Sequence, residues 1–142
     1  MRLLALVFLS QWLTALQCQA EPSDSSGLTG TVWQLVKFEG SDGKVLTAGD
    51  RQQYTLAFHV DGTVSARIAC NRGHGRWTSA GPGQLILGPM AMTRAMCPPD
   101  PLQDRLTRDW SAVRSYLIKD GHLLLSLMAD GGIYEFEPMP AR

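Results

Sequence analysis

Cysteine is scarce, with three in 142 residues, so a cystine-rich miniature scaffold is excluded. Long apolar runs are missing too. The longest lies at the start, over residues 3–16, where Ser10, Gln11 and Thr14 interrupt it, and nothing later approaches the roughly 20 apolar residues of a membrane-spanning helix. No charge of either sign is in surplus, with 13 basic and 13 acidic side chains. This balance argues against nucleic acid as a partner, because phosphate neutralisation needs a clustered basic surface. The nearest local excess, Arg67, Arg72 and Arg76, reads as a solvated loop face. No Gly-x-Ser-x-Gly, P-loop or dinucleotide fingerprint occurs, which removes the commonest motif-borne chemistries.

What is present begins with Met1-Arg2, the interrupted apolar run, and Cys18-Gln19-Ala20 ahead of polar Glu21-Pro22-Ser23. This order predicts a secretory signal peptide over residues 1–20, cleaved after Ala20. The alternative is a lipoprotein anchored through Cys18, against which stands Gln17 where a small residue normally precedes the lipidated cysteine. Cleavage removes Arg2 and leaves 12 basic and 13 acidic side chains. The expected location is periplasmic or secreted. Two cysteines remain, Cys70 and Cys97. An even count in an exported chain implies one disulfide, which in the loop-entropy model stabilises by roughly 3–4 kcal/mol. Two separate buried thiols are the other reading.

Residues 21–27 are polar and predict a flexible tail. Residues 31–38 are rich in β-branched and aromatic side chains and run into the turn cluster Gly40-Ser41-Asp42-Gly43. Tyr54, Leu56, Phe58 and Val60 alternate with polar or small neighbours up to Asp61-Gly62, and Val64, Ala66, Ile68 and Cys70 alternate beyond it. Period two on both sides of Asp-Gly predicts a hairpin whose apolar face carries Cys70 inward. Gly73, Gly75, Gly81 and Gly83 predict a loop around Arg76-Trp77-Thr78, followed by a short strand over residues 84–87 that Gly88-Pro89 ends.

Pro98-Pro99 blocks helix directly after Cys97. Asp100-Pro101-Leu102-Gln103 then offers an N-cap, a proline at the first helical position and a capping-box glutamine. Leu102, Leu106, Trp110 and Val113 fall on one stripe of an amphipathic helix of about three turns. A second hairpin spans residues 115–127 about Asp120-Gly121, and Asp130-Gly131 leads into a last strand over residues 133–137. The class is mainly β (α+β). About eight short strands form a small, partly open antiparallel β-barrel with one amphipathic helix plugging or flanking an end.

Trp33-Gln34-Leu35, the segment from Val64-Ser65 to Cys70-Asn71, Gly75, Thr93-Arg94 through Cys97, the helix, Leu123-Leu124-Leu125 and Tyr134-Glu135-Phe136 together resemble the META domain, also called HslJ-like. The likeness covers residues 28–138. It departs from the family where glycines are usual, at Ala66 and Ala69, and in the order Ala95-Met96. It implies a partly open β-barrel with a helix, like that of bacterial envelope proteins linked to heat shock and antibiotic tolerance. It carries over the motif positions Cys70, Asn71, Gly75, Thr93, Arg94 and Cys97, and brings no catalytic residues.

Other constellations have plain structural alternatives. Cys70, His74, Cys97 and His122 have metal-ligand chemistry, yet a structural zinc needs four ligands closing a tetrahedron. Met90, Met92 and Met96 beside Cys97 offer soft sulfur for Cu(I), or else fill gaps in a core. A thiol enzyme needs a reduced cysteine with His59, His74 or His122 as base. Trp33, Trp77, Trp110 and Tyr116 either line a cavity for an apolar ligand or fill the interior. The expectation is a non-enzymatic envelope module without a cofactor, for which a monomer suffices. It binds an envelope protein or an apolar small molecule and serves as an accessory factor in stress or antibiotic tolerance. The alternative is a copper-handling protein using Met90, Met92 and Met96.

Overall fold

In β1 (Val32–Glu39), Trp33, Leu35 and Phe38 are buried. Strict alternation would not bury both Leu35 and Phe38, but a bulge at Val36 resets the period. The carbonyl of Val36 is taken instead by the amide of Ala48, at 3.2 Å. The computed structural model describes residues 27–141, so the expected signal peptide over residues 1–20 and nearly all of the expected tail lie outside the described residues.

From β1 the chain continues through β2 (Val45–Thr47), β3 (Tyr54–Phe58), β4 (Thr63–Ile68), β5 (Asn71–Thr78), β6 (Ile86–Leu87) and β7 (Ala91–Met92). Helix α1 (Pro101–Asp109), β8 (Val113–Lys119), β9 (His122–Leu127) and β10 (Ile133–Pro138) follow. Eight strands form one antiparallel sheet in the order β6-β5-β4-β3-β1-β10-β9-β8, with β2 added to β1 and β7 to β5. The ends of this sheet meet where Gln84 bridges Ser115, flanked by Leu85 N–H donating to the Arg114 carbonyl and Tyr116 N–H to the Gly83 carbonyl. The result is a nearly closed barrel of the expected class.

The interior is built from the inward positions of these strands, among them Leu56, Phe58, Ile68, Leu125, Tyr134 and Phe136. Each contributes on the order of 1.5–3 kcal/mol of apolar transfer. Trp33, Trp77 and Trp110 belong to this core, and each indole N–H donates to a backbone carbonyl: Leu28 at 3.1 Å, His59 at 3.1 Å and Gly88 at 2.9 Å. These three fill the interior, while Tyr116 is only partly buried and packs against it.

Helix α1 starts as its sequence requires. The Asp100 carboxylate accepts from the Leu102 amide at 2.9 Å and also from the Tyr54 hydroxyl, and Pro101 occupies the first turn. All four residues of the expected stripe are buried, but the α-helix ends at Asp109: Trp110 opens a 3-10 turn over residues 110–112 and Val113 begins β8, so α1 itself covers the barrel with Leu102 and Leu106 alone. Asp109 fixes its far end, accepting from Tyr134 at 2.9 Å and from Arg105 at 2.6 Å. Among the described residues no helix is long and apolar enough to cross a membrane.

Three local expectations are corrected. Residues 71–78 form β5 rather than a glycine loop, because Gly73 and Gly75 serve close approach. A Cβ on Gly75 would lie 2.9 Å from the Pro89 carbonyl oxygen, and one on Gly73 would lie 2.6 Å from Met90 Sδ. Arg67, Arg72 and Arg76 accordingly stand on strands, with Arg67 directly opposite Arg72. Strand β3 stops at Phe58 and leaves Val60 90% exposed in the turn. Strand β4 stops at Ile68, because Ala69 takes a positive φ of 54° and the chain turns through Ala69-Cys70 to pair Ile68 with Asn71. Cys70 therefore faces solvent instead of the core.

Candidate functional site: the cleft beside the Cys-Asn turn

The β4–β5 turn delivers Cys70 to the surface and Asn71 to a buried position, 5% exposed. Cys70 stands at disulfide distance from Cys97, with Cα atoms 5.6 Å apart. The Asn71 carboxamide secures the intervening strap of residues 93–97. Its Oδ1 accepts from the Ala95 amide at 2.7 Å and the Thr93 hydroxyl at 3.0 Å, while Nδ2 donates to the Ala95 carbonyl at 3.2 Å and to Cys97 Sγ at 3.3 Å. Thr93 completes the tie: its Oγ1 accepts from the Arg72 amide at 3.0 Å, and its own amide donates to the Arg72 carbonyl at 2.9 Å. With both amide faces engaged, Asn71 is a framing residue.

What it frames is an open cleft of about 550 Å³ between the strap and α1. One wall presents Met90, Met92, Thr93 and Arg94, the other Gln103, Asp104, Thr107 and Arg108. Gly75 lies behind the first wall, under Pro89. The structure thus gathers Asn71, Thr93 and Arg94 at the cleft and gives Gly75 a supporting place. Met90 and Met92 share it as expected, but Met96 is fully exposed, at 100%, and does not line it. The three-methionine cluster is corrected to a pair, because the strap turns Met96 outward.

Gln103, Asp104, Thr107 and Arg108 were absent from the sequence-derived site. Their signal was their spacing, since positions 103, 104, 107 and 108 form a second helical stripe away from Leu102 and Leu106. Within it, Arg108 belongs to the last turn of α1. Among the described residues neither Arg94 nor Arg108 forms an ion pair. The cleft therefore holds two free guanidiniums, one carboxylate, two thioethers and neutral hydroxyl and amide groups.

The histidines lie elsewhere. His59 Nε2 is 2.9 Å from Ser65 Oγ on an exposed hairpin face. Neighbouring Asp61 accepts from the Thr63 amide and hydroxyl through one oxygen, Oδ1, and these bonds, the hydroxyl's first, hold it below the usual carboxylate range. No hydrogen bond joins Asp61 to His59 among the described residues. His122 Nδ1 pairs with Glu135 at 2.7 Å, and His74 is exposed on β5, opposite Ser65 of β4. Cys70, His74, Cys97 and His122 are not gathered at one point, and no group of three or more His, Cys, Asp or Glu placed to hold a metal occurs among the described residues.

The family model of the META domain matches residues 26–139. The chain belongs to the META domain family. Three solved structures share the fold of this META domain. An NMR structure of a protein from Burkholderia xenovorans superposes with a TM-score of 0.67 at 18% identity, over 94% of this chain and all of that one. A crystal structure of a DUF4847 family protein from Bacteroides vulgatus gives 0.58 at 15% identity, over 78% and 93%. Another NMR structure gives 0.55 at 22% identity, over 78% and 91%. No curated protein matches.

Proposed function

We propose that this META domain protein is a non-catalytic binding module of the bacterial envelope, exported by residues 1–20 and serving as an accessory factor in stress or antibiotic tolerance. Its working surface is the cleft between the strap and α1. The ligand joins an anionic group to a short apolar part, whether a small amphiphile or the matching end of a partner protein. One observation carries this reading: Arg94 and Arg108 reach the cleft from opposite walls, beside Met90 and Met92, without ion-pair partners among the described residues. A guanidinium left free in this way is suited to a bidentate carboxylate contact, and thioethers adapt to varied apolar shapes.

Octanoate serves as a simple probe. Added to the ¹⁵N-labelled protein, it is expected to shift the amides of Met92, Arg94, Thr107 and Arg108 in a saturable manner, and the double variant Arg94→Ala/Arg108→Ala is expected to lose that response. Native mass spectrometry of protein isolated from its own envelope should show a retained anionic ligand that the double variant lacks. Shifts confined to other faces of the barrel, together with no retained ligand, would refute the assignment.

A further inference from the structure

The two sulfurs of the Cys70–Cys97 pair are not equivalent. Cys70 sits in the turn after β4 and is exposed, whereas Cys97 is partly buried and packs against the core. Hydrogen bonding is also one-sided. Cys97 Sγ receives the Cys70 amide at 3.2 Å and the Asn71 carboxamide at 3.3 Å, while no N–H donor reaches Cys70 Sγ among the described residues. Donors aimed at sulfur stabilise the thiolate over the thiol, and a thiol of lower pKa is the better leaving group in exchange.

We infer that Cys70–Cys97 is a directional thiol-exchange site, attacked at Cys70 by a low-molecular-weight thiolate or by one thiolate of a dithiol protein, with Cys97 as the leaving group. The attacking sulfur bonds to Cys70 Sγ as the S–S bond breaks, and the bonding pair departs on Cys97 as thiolate beneath its two N–H donors. With one equivalent of thiol the product is a mixed disulfide at Cys70 and a free Cys97. A second thiolate then attacks the incoming sulfur of that mixed disulfide and releases Cys70. The two thiols are oxidised to a disulfide, the protein disulfide gains two electrons, and the two thiol protons end on Cys70 and Cys97. Each sulfur's surroundings, rather than the bridge as such, set the direction.

The test treats the oxidised full chain with glutathione, traps freed thiol at once with N-ethylmaleimide, and maps the peptides, which separates Cys70 and Cys97 from Cys18. The expected product carries glutathione on Cys70 and maleimide on Cys97, in at least about tenfold excess over the reverse arrangement. The variant Asn71→Asp keeps the Oδ1 acceptor but puts an oxygen where Nδ2 donates to Cys97 Sγ. It should slow cleavage about tenfold and erode the preference. An even distribution in the wild type, glutathione found mainly on Cys97, no cleavage at all, or an Asn71→Asp variant with unchanged rate and preference would each overturn the assignment. The wild-type map stands regardless of how the variant folds.

Discussion

The Tyr134 hydroxyl donates to the Asp109 carboxylate at 2.9 Å, tying the last strand of the barrel to the end of the helix that covers it. Tyr134 is fully buried. Burial first, and the Asp109 hydrogen bond second, push its phenol far above the ordinary tyrosine range, and burial and Asp100 do the same to Tyr54.

Tyr134→Phe should therefore destabilise by about 1–2 kcal/mol, the usual result of removing one partner from a buried carboxylate bond. Urea denaturation measures it. The raised phenol values have a definite sign: this contribution is complete below the unfolded tyrosine value of about 10 and is lost as pH rises through the folded value. Phenolate absorbance of Tyr54 and Tyr134 should accordingly appear only as the protein unfolds in alkali. Reversible ionisation of both at about pH 10 in the folded protein would contradict the placement.

Gly75→Ala and Gly73→Ala should differ. At Gly75 the new methyl meets backbone, the Pro89 carbonyl oxygen at 2.9 Å, so β5 and the Pro89-Met90 segment must separate at about 1–3 kcal/mol. At Gly73 it meets the Met90 side chain, Sδ at 2.6 Å and Cγ at 2.9 Å, which can swing aside, and the Ala91 carbonyl oxygen at 3.3 Å, which has to give by only a few tenths of an ångström. The second variant should keep most of its stability and report instead in the chemical shifts of the cleft. Equal thermal shifts for the two would show that close approach is not what these glycines provide.

Asn71→Ala removes both faces of the carboxamide and leaves the Ala95 amide and the Thr93 hydroxyl without their acceptor. A loss of about 1–2 kcal/mol is expected, because Thr93 and Ala95 are exposed and water can replace part of what the carboxamide supplied. Hydrogen exchange should quicken at Ala95 while the β8–β9 hairpin stays protected. Unchanged protection at Ala95 would argue that the disulfide alone positions the strap.

Glu137 accepts from Arg51 at 2.6 Å and from Gln34 at 2.7 Å, and the Arg51 bond foremost holds its carboxyl below the ordinary glutamate range. A depressed folded value gives stability that is present above the unfolded value, about 4.3, and is lost as pH falls through the folded one. Glu137→Gln should cost at most about 1 kcal/mol near neutral pH, because Arg51 is well exposed to solvent. The difference from wild type should vanish in acid. Denaturation midpoints measured at neutral and acid pH decide it.

Much of the architecture was legible because local and tertiary signals agree. Asp120 and Gly121 both take positive φ, at 52° and 78°, forming the two-residue turn their types predict between Lys119 and His122. Asp100 caps α1, and the Leu102–Leu106 stripe is buried. Misreadings arose where a residue answers to a distant neighbour. Gly73 and Gly75 look like loop residues until Pro89 and Met90 are laid against them, and alanine at position 69 hides the left-handed turn that sends Cys70 outward, which the glycine usual there in the family would have signalled. The motif positions Asn71, Thr93 and Arg94 proved to adjoin one cleft, but the opposite wall, a polar helix stripe, has nothing in its composition to separate it from an ordinary solvated face.

Strand β1 pairs with β10 along most of its length, Trp33 opposite Pro138 and Glu39 opposite Ile133. These partners are separated by nearly the whole described chain, so the central seam has high contact order. A chain made amino end first cannot complete β1 until its final strand has emerged, which makes closure of the barrel an event that follows the synthesis of residues 133–138. The same adjacency brings residues 32 and 139 together, with the Met139 amide on the Val32 carbonyl at 2.7 Å. A short linker there, with new ends opened at the exposed Asp120-Gly121 turn, would yield a circular permutant that keeps the barrel while altering the order in which it closes.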